Sequence, residues 1–232
     1  PSLSSRHLQP ELMDEPGVEA REHVSALRAL ARVNRLSLTA YRIWREVLAI
    51  SRQASPLRIL DVACGGGDVI LEVKRKADAA GVPLEVHGCD TSPTALSHAR
   101  ERAARKGLEV HFHELDVTRE PLPGGFDLVT SSLFLHHLEE AGARALLWEM
   151  ARAGRGILIQ DLLRSTPGFW LAWVTLRLIS RSRLAHVDGP RSVESAFRIS
   201  EVEALARDAG LAGATVRPCW PQRFILTWRR CV

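Results

Sequence analysis

The stretch Leu57 to Asp68, LRILDVACGGGD, constrains the fold of this chain more than any other. An apolar run from Leu57 to Ala63 reads as a buried strand. It flows into three consecutive glycines, which let a backbone turn tightly and approach a ligand without a Cβ in the way. A helical pattern from Asp68 to Ala80 follows, ended by Gly81-Val82-Pro83. Strand, glycine turn and helix together are the opening unit of a doubly wound sheet, which binds ligands at the carboxyl ends of its strands.

The alternation continues downstream. Leu84 to Cys89 reads as a second strand and Ser92 to Lys106 as a helix, with Ser92 at its N-cap, Pro93 at its first position and Gly107 closing it. Glu109 to Glu114, Phe126 to Ser131 and Gly156 to Gln160 read as further strands, with a helix over Ala141 to Ala153. Residues 167 to 183 read as an inserted helix. Ser200 to Ala209 is another, N-capped by Ser200 and closed by Gly210. Ala214 to Pro218 and Arg223 to Trp228 form a terminal hairpin around Pro221. The expected fold is α/β: a Rossmann-like doubly wound sheet, mostly parallel, with a C-terminal antiparallel hairpin. Upstream, residues 1 to about 17 form an irregular arm, and 19 to 50 hold two helices broken near Asn34 to Ser37. The expected organisation is an arm and helical lid over 1–56 and a binding domain over 57–232, with residues 161–199 inserted on the acceptor side.

The glycine turn resembles motif I of the class I methyltransferases, acidic-x-Gly-x-Gly-x-Gly. Asp61, Gly65 and Gly67 match, and Ala63 replaces the first glycine. The second strand ends in Asp90-Thr91, where a carboxylate can accept hydrogen bonds from both hydroxyls of a ribose. After the third strand, Asp116-Val117 resembles the methyltransferase pair beside the adenine amino group. The segment FDLVTSSLFLHHL, residues 126–138, resembles the one after motif III in small-molecule methyltransferases related to the ubiquinone and menaquinone enzymes. That resemblance places Ser132 and Leu133 beside the methionine moiety and implies S-adenosylmethionine as cofactor. Together with the arm QPELMD, it looks like bacterial methyltransferases serving polyketide-phenol or quinone-like pathways.

The acceptor is less constrained. The Pro-Pro-aromatic motif of nucleobase-amine methylases is missing after the fourth strand, where Ser131-Ser132-Leu133-Phe134 stand. The net charge of +4 comes almost wholly from dispersed arginines, without a block dense enough to grip a phosphate backbone. A small-molecule acceptor is therefore expected and nucleic acid is not. RNA methylation and an inactive cofactor-binding protein stay open as alternatives. Transfer to a hydroxyl needs a base, and histidine is the natural one. The expected base is His186, oriented by Asp188 on a Gly-Pro loop, ahead of His136. His137, Trp170, Trp173 and Arg191 are expected to line the acceptor site. The arginine flank of the insert (Arg177, Arg181, Arg183) also suits a membrane surface. His111 and His113 alternate on one strand without further ligands, and Cys64, Cys89, Cys219 and Cys231 lack paired spacing, so a metal is not expected. No signal-peptide pattern opens the sequence, and reduced thiols in a cytoplasm are the expectation. Oligomeric state is not legible.

Overall fold

The apolar periodicities resolve into helices and strands in a computed structural model that describes residues 3–15, 17–51 and 56–230. Pro16 and Cys231 lie outside the described residues. Two helices come first, α1 (Ala20–Leu36) and α2 (Thr39–Ile50). The chain turns between them at Leu38, a non-glycine residue in the left-handed region with φ 55°. The alternating part follows as β1 (Leu57–Val62), α3 (Asp68–Ala79), β2 (Leu84–Asp90), α4 (Pro93–Lys106), β3 (His111–Glu114), β4 (Leu128–Ser132), α5 (Glu140–Ala153) and β5 (Gly156–Leu162). Then come α6 (Thr166–Ile179), α7 (Arg183–Ser195), α8 (Ile199–Asp208), β6 (Thr215–Cys219) and β7 (Arg223–Arg229).

The strands form one sheet in the order β3-β2-β1-β4-β5-β7-β6. The first five are parallel, whereas β7 lies antiparallel to both β5 and β6. Strand order reverses between β1 and β4, so a crevice opens beyond their carboxyl ends. Alternate residues of each strand feed opposite faces. On one face Leu57, Ile59, Leu128, Leu158 and Ile225 pack against Ile43, Trp44 and Val47 of α2 and Ile70 and Val73 of α3. On the other, Leu60, Val62, Val129, Ile157, Ile159 and Leu226 pack against α5 and α8 through Leu147, Met150, Val202 and Leu205.

Two local expectations change. His186 to Ser195 is not a loop: Ser182 accepts the backbone N–H of Ala185 and starts α7, which runs through Gly189 and Pro190. Packing overrides these two breakers. A Cβ at Gly189 would lie 2.0 Å from Leu176 Cδ1 of α6, so the glycine lets the two helices approach closely. At α8 the N-cap is Arg198 and not Ser200, and the Glu201 carboxylate accepts the Arg198 backbone N–H at 2.8 Å.

In an exposed helix interior, glycine to alanine is stabilising by about 0.5–1 kcal/mol. Here the sign reverses. Gly189→Ala lowers stability by about 1–3 kcal/mol through overpacking against α6, as measured by urea denaturation. A variant as stable as the native chain would mean that α6 and α7 do not pack this closely.

Candidate active site

The crevice opens into one cavity of about 1210 Å³. Its floor is made by the turns that follow β1 and β2. Asp90, at the end of β2, accepts the Gly65 N–H through one oxygen at 2.8 Å and the Ser92 N–H through the other at 2.9 Å. Arg102 of α4 donates to the Gly66 carbonyl at 2.8 Å and steadies the turn from the side. Ala63 (φ 53°) and Leu133 (φ 57°) both hold left-handed backbone at the cavity wall. Strain of this kind persists where a site over-determines the backbone.

Asp61, Asp68 and Asp90 all line this floor. Asp61 is buried and accepts the Thr130 hydroxyl at 2.8 Å. Burial pushes its pKa up to about 7; the Thr130 bond opposes that rise, and the charges of Asp68 and Asp90 add to it. Burial also raises Asp68, which accepts a bond from Asn34 of α1 at 3.2 Å. Three converging carboxylates favour a ligand carrying positive charge.

The neighbouring strands add polar atoms that await partners. Among the described residues, four buried side-chain atoms have none: Ser132 Oγ, both amide atoms of Gln160 and one terminal nitrogen of Arg223. Ser132 pairs with Gln160, and Gln160 with Ile225, two residues from Arg223. Cross-strand register therefore puts all three on one sheet face. The other terminal nitrogen of Arg223 donates to Asn34 and Thr39 at 3.1 and 3.2 Å. Burial lowers the Arg223 pKa to about 10, and the side chain stays charged.

The opposite wall is built on His136. Its Nδ1 lies 2.7 Å from an Asp161 oxygen of β5, and its Nε2 lies 3.3 Å from Glu11 of the arm. Burial alone would depress its pKa, but Asp161 and Glu11 outweigh that and push it up to about 10. His137 Nε2 lies 3.6 Å from the same Glu11 oxygen, which also accepts the Ser192 hydroxyl of α7. Glu11, His136 and His137 all face the cavity.

The comparisons agree with this geometry. The family described as Methyltransferase domain matches residues 59–155. A demethylmenaquinone methyltransferase of Deinococcus radiodurans is 36% identical over 58% of this chain and 56% of its own length. A ubiquinone biosynthesis O-methyltransferase of Methylococcus capsulatus is 32% identical over 66% of this chain and 62% of its own length. This chain thus spans less than two thirds of each of these two relatives. The plantazolicin methyltransferase BpumL, solved in complex with SAH, superposes with a TM-score of 0.68 at 13% identity over 94% of this chain and 93% of that one, a likeness of fold. Residues 59–155 carry a methyltransferase domain.

The donor-side residues expected from the methyltransferase motifs come together. Asp61, Ala63, Gly65, Asp90, Thr91, Asp116, Val117, Ser132 and Leu133 line the cavity, but Gly67 does not. With φ 68° and Ala99 only 3.1 Å from where its Cβ would stand, Gly67 serves the turn into α3. Asp116 is partly engaged already, since one oxygen accepts the N–H and hydroxyl of Thr118 at 2.9 and 2.6 Å. The acceptor side departs from expectation. His186 sits in α7, with Nε2 3.1 and 2.8 Å from the Leu176 and Ser180 carbonyls at the end of α6, and it does not line the cavity. Asp188 does not orient it. That carboxylate is buried and accepts the N–H groups of Leu12 and Met13 at 2.8 and 3.1 Å, which pins the arm. Trp170 and Trp173 turn outward, 53% and 38% exposed. Arg191 is likewise absent from the cavity wall, while His136 and His137 are on it.

Sequence reasoning missed Glu11, Asn34, Asp68, Asp161 and Arg223. Only Arg223 left a local trace, a charge opening the apolar run of β7. Within 19–50, α1 supplies His23, Leu27, Leu30 and Asn34 to the cavity, whereas α2 packs on α3 away from it.

Asp61 gives the donor site a pH dependence. A cationic ligand favours the ionised carboxylate, whose pKa of about 7 stands above the ordinary aspartate value. Affinity for S-adenosylmethionine should therefore rise with pH. The gain is up to about tenfold between about pH 6 and about pH 8, flattening above. Isothermal titration of the native chain and Asp61→Asn checks this; equal slopes would remove Asp61 from the effect.

Proposed function

We propose that the chain transfers the methyl group of S-adenosylmethionine to an oxygen, or to a phenolate-activated ring carbon, of a small lipophilic phenol or quinone-like metabolite. One observation carries the reading: a single cavity joins the carboxylate-lined donor floor to the Glu11–His136–His137 wall, with apolar side chains between them. Leu27, Leu30, Leu171 and Leu176 form those intervening walls and suit a flat, apolar acceptor. Quinone-pathway acceptors, named for two relatives, are of this chemical kind.

The displacement is in line, and the donor is already activated. The protein contributes mainly alignment and exclusion of water. Asp61 and Asp68 would hold the ammonium of the donor and Asp90 its ribose hydroxyls. The donor's carboxylate is a natural partner for the open Arg223 nitrogen. Helix α1 and the arm, held by Asp188 and Glu11, act as the lid. The acceptor loses its proton at the Glu11–His136–His137 wall. His136, gripped by two carboxylates, is a fixed element of that wall, and His137 is its more accessible member. The exposed apolar face of α6, with Trp170, Trp173, Val174 and Leu178, suits contact with a lipid surface from which such an acceptor would come.

The test is assay of a panel of phenols and hydroquinones for methylated product by mass spectrometry, with His137→Gln beside the native chain. The expected result is turnover of at least one member, lowered about 10²–10⁴-fold in the variant, with S-adenosylmethionine affinity unchanged. Methylation of RNA but of no phenol would overturn the acceptor assignment.

A further inference from the structure

We propose that Glu11, His136 and His137 form a binding site for a divalent cation of borderline softness, of the zinc or ferrous class, which takes the acceptor's oxygen as a further ligand. This goes beyond methyl transfer itself, and its acceptor role rests on the reading of the cavity given above. One oxygen of Glu11 lies 3.3 Å from His136 Nε2 and 3.6 Å from His137 Nε2, and the three ligand atoms lie within 4.8 Å of one another. Four-coordinate bonds of about 2.1 Å separate neighbouring ligand atoms by about 3.4 Å. Both histidines thus already stand near coordination spacing from the Glu11 oxygen. Two imidazoles and one carboxylate are the ligand set such cations accept with positions left open for substrate. Here those positions face the cavity, because all three residues line it.

The supporting shell is that of a metal centre. Ligating histidines commonly give their other ring nitrogen to a carboxylate, which fixes the tautomer and ring orientation. Asp161 does this for His136 at 2.7 Å and also accepts the His136 backbone N–H at 3.1 Å. The Ser192 hydroxyl holds the Glu11 oxygen, and Asp188 anchors the backbone of the next two residues, Leu12 and Met13. Glu11 reaches the histidines across 125 positions of sequence. This distance explains why no ligand spacing is legible along the chain.

The cation would supply the acidity that a neutral phenol needs. Bound to it, the hydroxyl releases its proton to water and becomes a phenolate. The new oxygen–carbon bond then forms as the carbon–sulfur bond of the donor breaks, its electron pair passing to sulfur. The arm thereby becomes part of the active site as well as its cover.

Titration of chelator-stripped protein with Co²⁺, followed by its visible absorption, tests the site without any turnover. One Co²⁺ per chain is expected, with a spectrum of nitrogen ligation. Its affinity should fall more than about a hundredfold in both His137→Gln and Glu11→Gln. S-adenosylhomocysteine binding, titrated in parallel, should stay within about twofold in His137→Gln, a part-exposed position whose variant is checked for fold by circular dichroism. Native protein that binds Co²⁺ no better than His137→Gln overturns the proposal, and intact S-adenosylhomocysteine binding in that case leaves the donor reading standing. Co²⁺ bound through nitrogen in a chain that takes no S-adenosylhomocysteine supports the cation site and removes the methyltransferase reading instead.

Discussion

The Asp90 carboxylate ties together the two turns on which the donor side depends. By accepting the N–H groups of Gly65 and Ser92 it fixes the glycine turn after β1 to the start of α4. Charge-assisted bonds of this length are roughly twice as strong as neutral ones. A carboxylate offers about four lone-pair sites, so the group that shapes the floor can also receive a ribose. The raised pKa of Asp61 and the left-handed backbone at Ala63 and Leu133 are consequences of how tightly these strand ends converge. A cationic ligand would relieve part of that electrostatic tension.

A second buried arrangement closes the other side. Asp161, His136 and Glu11 place three ionisable groups out of water, and each is held by more than one partner. Removing one member of such a cluster leaves an uncompensated buried charge, which costs about 3–5 kcal/mol. The arm is fastened further by Arg6, which donates to the Ser195, His136 and Leu138 carbonyls and stacks on Phe197 3.8 Å away. The N-terminal segment is thus built into the acceptor wall. It reaches α7 and Arg164, just beyond β5, across most of the chain's length.

This contrast explains what could be read in advance. The sheet, most of its helices and the cavity residues at the ends of β1 and β2 were legible because they depend on local signals: period-two and period-3.6 patterns, a capping serine before Pro93, and carboxylates at strand tips. The acceptor wall depends on contacts between distant segments. His186 and Asp188 look like a base and its orienter when spaced two apart beside Gly189-Pro190. The helix that absorbs those breakers instead sends one to the end of α6 and the other to the arm. Trp170 and Trp173 look like a substrate platform, but the α6–α7 packing turns them outward. Glu11 and Arg223 meet their partners across long stretches of sequence, Glu11 at His136 and Ser192 and Arg223 at Asn34 and Thr39.

The proposed reaction requires one cavity to set a methyl donor against the Glu11–His136–His137 wall. A crystal structure with S-adenosylhomocysteine bound tests it most directly. Ribose hydroxyls are expected within about 3 Å of Asp90, with the sulfur directed across the cavity toward His137. A ligand bound elsewhere, or one whose sulfur faces away from that wall, would contradict it.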